Sequence, residues 1–442
     1  LRGPRARAAD TRRRCDQPVL MRILISTDAF PPRCGGSGWS TYELAKTLRA
    51  MGHQVVISRP IFGAGGPDDP MQYDGFDVRT YRGWAPPIPF VRNYFKNERL
   101  ARSYAAALAG IVRAERIDLL HGQHLLSIPA TVRAARAEQR PVVCTVRDYW
   151  PLCYWSDLIH DPAVSELCPA CTPTMMTRCV RPRAGSAWPL ALPAIPYMRS
   201  NLRHKRRALV SADAVIAVSS AIAADLRART DDLRSARVEV IPNPVDIDGV
   251  RAAAAGDAPL SGPYAVCVGK LAPNKGSTKL ITAIERAELT WPVVVVGEGP
   301  DRRLMERLAR RSGRDVRFIG WQSRPETLRW LRYAAVLVFP SHGPESLSRV
   351  LLEAAALGVA TAATQTGGTG DIITHGVTGL LSEGSDGLGD DLRRLVADEA
   401  LRRRLGQAAA RQVEMKFDAP EVGRRVETLY RELIGGRPTA AK

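Results

Sequence analysis

From residue 22 onward the chain alternates short apolar runs with stretches whose apolar residues recur every three or four positions. The first run predicts a strand over 22–26, then a Pro-Pro…Gly-Gly loop and an amphipathic helix over 39–51. Strands over 54–57, 118–120 and 142–146 follow, with helices over 95–115 and 128–138. A strand over 213–218, a helix over 219–229 and a strand over 238–241 close this series. A second series has strands over 264–268, 293–296, 316–319, 336–339 and 360–363. Its helices are predicted over 279–287, 302–312, 326–332 and 348–357. Such βα repetition builds doubly wound parallel sheets, here two of them. Between the series, residues 248–262 are rich in Ala, Gly and Pro, so the expected domains are 21–248 and 249–418. Residues 419–434 then place Val422, Val426, Leu429 and Leu433 on one helical face, ahead of a tail to 442.

Composition adds little to the fold but constrains the setting. With 442 residues and 45% hydrophobic content, the chain can bury two cores. Residues 1–20 carry six Arg and two Asp with no apolar period, and are expected to be a disordered leader or a misplaced start. Setting the leader's +4 aside leaves +14 of the formal +18, which favours an anionic surface such as acidic lipid or nucleic acid. No apolar run reaches the length of a spanning helix, and eight cysteines without a secretory signal argue for the reducing cytoplasm.

One segment breaks the alternation. Residues 150–207 hold four cysteines, many prolines and a basic end, and are expected to be an insertion in the first domain. Cys153, Cys168, Cys171 and Cys179 are spaced C-x14-C-x2-C-x7-C. Four thiolates suit a structural zinc or an iron–sulfur cluster; ordinary thiols, or a redox pair at 168 and 171, fit the same residues. Residues 178–207 contain eight Lys/Arg and no acid, interleaved with the apolar run Trp188 to Met198. That is the composition of a membrane-surface patch, or of a packed loop with a solvated basic rim.

The candidate chemistry centres on residues 344–358. Glu345 precedes a predicted helix with Ser346 or Ser348 as N-cap and Gly358 as terminator, and Glu353 lies inside it. The unpaired amides at that helix start form an anion site between two acids. A ligand with hydroxyls at both ends and phosphate in the middle has this shape, as a nucleotide-sugar does. Taken alone, such a Glu pair is usually a solvated helix face. Two more elements support the ligand reading. Gly35 and Gly36 leave the first βα loop free of side chains, and Lys270 and Lys275 follow the first strand of the second domain, where cations neutralise a diphosphate.

Six stretches in order carry a family resemblance: Phe30 to Gly36 with 52–55, Ile241-Pro-Asn-Pro-Val-Asp246, Val268 to Gly276, Val296 to Pro300, Glu345 with Glu353, and Thr366 to Ile373 with Gly376 to Leu380. From Met21 to Ile434 the chain resembles the family-four retaining glycosyltransferases of the GT-B fold. The resemblance implies two Rossmann-like domains facing across a cleft, with a C-terminal helix returning to the first. It implies Lys275 on the diphosphate, Glu353 on the ribose, Glu345 on the donor sugar, and Gly269 with the backbone of Leu347 and Ser348 near phosphate. Lys270 stands where the family usually has Arg, and Leu347-Ser348 where it often has Phe-Gly. The family's Thr-x-His pattern is here Thr145-Val-Arg147-Asp148. Arg147 is a cation that anchors an anionic acceptor rather than a base. His121 and His124 are further acceptor-side candidates, with Asp148.

The implied activity is hexose transfer from a nucleoside-diphosphate sugar to a lipid-linked or glycan acceptor, with retention, no protein nucleophile and no required cofactor. The expected place is the cytoplasm, peripheral on the inner face of the membrane. Two rivals share parts of the pattern: a non-hydrolysing nucleotide-sugar epimerase of the same fold, and a catalytically inactive basic protein that binds nucleic acid.

Overall fold

The computed structural model describes residues 20–32, 34–62, 72–88, 91–161 and 166–436. The expected leader, except Leu20, and the tail over 437–442 lie outside these residues. Strands that are apolar along their whole length need cover on both faces, which parallel sheets flanked by helices provide. The first domain contributes β1 (Arg22–Ser26), β2 (Gln54–Phe62), β3 (Gln72–Tyr73), β4 (Phe76–Gly83), β5 (Leu119–Gly122), β6 (Val142–Val146), β7 (Ile159–Asp161), β8 (Glu166–Leu167), β9 (Ala214–Ala217) and β10 (Val238–Val240). Eight of these form one sheet in the order β10-β9-β6-β5-β1-β2-β4-β3, parallel except for the β3–β4 edge. The second domain contributes β11 (Ala265–Val268), β12 (Val293–Val296), β13 (Val316–Gly320), β14 (Val336–Phe339), β15 (Thr361–Thr364) and β16 (Leu380–Ser382). They form a parallel sheet in the order β13-β12-β11-β14-β15-β16. In both sheets the order reverses next to the first strand, the place where doubly wound folds open a crevice for ligands.

The chain crosses back to its first domain. Val245 N–H donates to Phe417 O at 2.9 Å, and Ala419 N–H donates to Val245 O at 2.9 Å. The helix Ala419–Gly435 then lays Val422, Val426, Leu429 and Tyr430 into the core that holds Met21, Ile23, Leu44 and Leu48. His53 fixes this contact further through Glu427 at 3.1 Å.

Three expectations change in detail. The helix predicted over 95–115 starts as Val91–Tyr94, passes through a π-helical stretch Phe95–Arg99 and continues as Leu100–Ala114. The Asn97 side chain there donates to Asn93 O at 2.7 Å, so a carbonyl of the preceding turn gains a side-chain partner. Strand β2 extends to Phe62, because β4, which the hydrophobic pattern did not announce, supplies a partner as far as Gly83.

The insertion, which breaks the predicted βα alternation, is largely helical. It forms the β7–β8 hairpin and the helices Pro173–Ala184, Trp188–Ala191 and Ala194–Val210 around a small core of Met176, Val180, Met198 and Leu202. Pro173 starts the first of these helices, directly after the Thr172 cap whose side chain accepts from Met175 N–H, while Pro182 lies in its last turn. Among the described residues, no helix is long and apolar enough to cross a membrane.

Candidate active site

The second domain builds its side of the site from two crowded turns. After β11 the chain passes Gly269 and Lys270, both exposed, and turns through Pro273–Lys275 onto Gly276. Gly276 has φ +69, and a Cβ there would fall 1.8 Å from Pro340 O, so only glycine lets this turn meet the loop after β14. The approach brings Lys275 Nζ onto the Glu345 carboxylate, which also accepts from Ser341 Oγ. From the other side, Gly367 at φ +48 leaves room for Glu345 O, and Gly368 N–H donates to that oxygen at 2.8 Å. Glu345, only 7% exposed, is thus held by two backbone turns and two side chains. Ser348 is the N-cap of the helix Arg349–Ala356, but its side chain makes no capping bond, which leaves the first amides for another acceptor. Leu347 is buried in the core, so its side chain packs while its backbone borders the loop. Gly269, Lys270, Lys275, Ser277 and Ser341 line one narrow crevice.

Glu353 meets partners that the pattern did not announce. Its carboxylate accepts from Arg349 Nε at 3.0 Å and from Arg324 Nη2 at 3.2 Å. Both arginines also reach Glu43, on the first domain's helix Gly36–Ala50; Arg324 does so at 3.1 Å. Two guanidinium groups and two carboxylates therefore bridge the cleft, with the Arg324 guanidinium 4.8 Å from the Trp39 ring. Burial pushes the Glu43 carboxyl up against the pull of both arginines. Burial opposes the charge on Arg349 as well, but Glu43 and Glu353 outweigh it and its pKa is raised. Arg349 could have been found in the sequence as the i,i+4 partner of Glu353. Glu43 and Arg324 gave no such signal, because their contacts come from another domain and another loop.

On the first-domain side, Gly35 caps the helix Gly36–Ala50 without a side-chain bond, and a Cβ there would meet open space. His121 has to be withdrawn from the acceptor side. It is fully buried, with Nδ1 bonded to Tyr430 OH and Nε2 to Thr145 Oγ1 at 2.7 Å, and burial holds it neutral, well below its ordinary pKa. Its ring ties β5 to β6 and to the returning C-terminal helix. His124 is less fully engaged: Nδ1 meets Thr27 Oγ1 at 2.8 Å, while Nε2 is buried with no partner among the described residues. Burial lowers it to about 3, so it too is neutral.

Arg147 is buried, donating to Asn243 Oδ1 at 2.9 Å and to the backbone and side-chain oxygens of Gln123. Burial brings it down to about 9, which leaves it charged at neutral pH. Asp148 accepts from Trp150 N–H at 2.8 Å, and burial raises it to about 6. Asp28, absent from the sequence-level candidates, accepts from the amides of Leu126 and Ser127 at 2.7 and 2.8 Å and is likewise raised to about 6 by burial. Gln123 Nε2 and Tyr149 OH are also buried without partners among the described residues.

Comparison with known proteins bears on the family and the fold. Residues 34–248 match the model described as Glycosyltransferase Family 4, and residues 253–412 match Glycosyl transferases group 1. The chain belongs to the family-four glycosyltransferases. It is 28% identical over 438 residues to a glycogen synthase of Mycobacterium tuberculosis, covering 93% of this chain and 94% of that one. Among solved structures, the sucrose-phosphate synthase of Thermosynechococcus elongatus superposes with a TM-score of 0.68 at 20% identity, over 94% of this chain and 100% of that one. The HepE protein of Anabaena, solved in complex with UDP, gives 0.64 at 18% identity, over 92% and 99%. Both are GT-B folds, as is this chain.

As a family-four glycosyltransferase, the chain departs most from a plain two-domain architecture at its cysteines. Every described cysteine is a free thiol. Cys153, Cys168, Cys171 and Cys179 gather in the insertion, although no three His, Cys, Asp or Glu side chains among the described residues already stand as a metal cradle.

Proposed function

We propose that this glycosyltransferase moves a hexose from a nucleoside-diphosphate sugar to a lipid-linked or glycan acceptor, with retention. The observation that carries the reading is Lys275 seated on Glu345 at the mouth of the uncapped Arg349–Ala356 helix, with Gly269 and Lys270 along the same crevice. A diphosphate placed there meets two ammonium groups and free helix amides, the means by which a leaving anion is stabilised. Glu345 then faces the sugar. Glu353 takes the ribose once its arginines share it, in keeping with the UDP complex of the HepE protein. In this reading the departing diphosphate helps deprotonate the acceptor on the face it leaves, and the protein's part is placement and charge.

For the acceptor, the reading draws on Asp28 and Asp148 and on Gln123, His124 and Tyr149, whose buried polar atoms lack partners among the described residues, groups suited to a polyhydroxylated ligand. In this reading a lipid carrier would rest on the first domain. A cavity of ≈ 410 Å³ between Arg92, Trp155, Val180 and Arg183 opens on the first domain, which also exposes Trp84, Ile88, Val91, Tyr94 and Leu190. Exposed aromatic and aliphatic side chains in a domain rich in arginine suit the surface of an acidic bilayer on its cytoplasmic side. The test is a thermal-shift screen of UDP-, GDP- and ADP-sugars, in which a donor at 100 times its Kd adds about 2.7 kcal/mol. Product analysis with the stabilising donor follows. An isomeric nucleotide-sugar without released nucleoside diphosphate, or no stabilisation by any donor, refutes the reading.

A further inference from the structure

The insertion has a stability problem of its own. Its core has four fully buried residues, Met176, Val180, Met198 and Leu202, and a unit of that size usually needs a staple. The insertion carries four thiols on three pieces of chain: the turn at Cys153, the 168–171 knuckle and the helix Pro173–Ala184. Cys153 closes a turn in which its N–H donates to Tyr149 O at 2.8 Å. Ser156 and Leu158, at φ +66 and +53, then fold the chain back, and Cys168 N–H pairs with Leu158 O at 2.7 Å. Arg229 grips the Cys168-Pro-Ala-Cys171 knuckle through the carbonyls of Cys168 and Pro169, at 2.9 and 3.0 Å. Cys179 projects from the helix Pro173–Ala184 with Sγ 3.0 Å from Arg183 Nη1, while Arg183 Nη2 holds Asp157 at 2.9 Å. Cys171 lies within electrostatic reach of the other three.

We propose that Cys153, Cys168, Cys171 and Cys179 bind one zinc ion as a structural tetrathiolate site that staples the insertion to the first domain. As each Zn–S bond forms, its thiol gives up a proton to solvent, so four protons leave per ion and the site carries two net negative charges. Arg183, already between Cys179 and Asp157, lies beside that charge. Cys153 donates to Asp157 Oδ1 at 3.7 Å and Cys168 to Ala170 O at 3.2 Å, contacts that the two sulfurs would exchange for zinc.

The experiment measures metal in the purified, reduced full chain by mass spectrometry. It then titrates the thiols with a mercurial while a zinc dye reports release. About one zinc per chain is expected, released as the four thiols are modified, together with a fall in Tm and loss of zinc in the Cys168→Ser/Cys171→Ser variant. The mercurial titration decides the matter on the native chain if that variant does not fold. A chain that neither holds nor takes up zinc overturns the proposal, as does the visible absorbance of an iron–sulfur cluster, a 168–171 disulfide in the reduced protein, or zinc retained after the four thiols are blocked.

Discussion

The bridge across the cleft makes a sharp energetic prediction. Arg324 and Arg349 share Glu43 from one domain and Glu353 from the other, and the side chains of Glu43, Glu353 and Arg349 are 2%, 7% and 11% exposed. The four charges balance. Glu43→Leu leaves one guanidinium in excess, and Arg349→Met leaves one carboxylate in excess. Each is an uncompensated buried charge, costing about 3–5 kcal/mol. The double variant keeps Arg324 with Glu353, a neutral pair, and puts apolar atoms of similar length where the other pair stood. It is therefore expected to recover most of that cost, with a coupling energy of about 3 kcal/mol between the two sites. Urea unfolding of the wild type, both singles and the double measures this. At roughly 2–4 °C per kcal/mol for domains of this size, each single lowers Tm by about 6 °C or more. A coupling energy under about 1 kcal/mol, the range of exposed ion pairs, would refute the reasoning.

Lys275→Ala leaves Glu345 without its ammonium partner and the diphosphate with one cation fewer, so transfer is expected to fall about 10²- to 10³-fold, measured as nucleoside diphosphate released; unchanged transfer contradicts the assigned role. His121→Ala is expected to cost about 1–3 kcal/mol in urea unfolding, because Tyr430 and Thr145 lose a buried partner, while turnover per folded molecule stays as it was. A loss of turnover without a loss of stability would return His121 to the acceptor side. The raised values of Asp28 and Asp148, each about 6, mean that the folded state binds protons more tightly than the unfolded chain. Their contribution is fully present below the ordinary carboxylate value of 3.8 and is lost as pH rises through about 6. Asp28→Asn removes one such group, so its Tm relative to wild type is expected to rise between pH 4.5 and 7.5; a difference that falls over that range contradicts the assignment.

The parallel strands were legible because their side chains are apolar along the whole run, and burial on both faces is what a parallel sheet imposes. Lys275, Glu345 and Glu353 could be singled out because chain order places them at strand ends and around one helix start, and the fold does bring Lys275 onto Glu345. Asp28 was not, since its meaning lies in the amides of Leu126 and Ser127, almost a hundred residues away. His121 misled for the same reason. A histidine after a strand looks available until Tyr430 arrives from the far end of the chain to occupy it.

The sequence by itself determined two doubly wound domains and the returning helix, because periodicity and motif order are local properties. Tertiary structure alone decided which charges balance across the cleft and which histidine is spent on packing. Those depend on burial and on partners distant in the chain, and no local pattern encodes either.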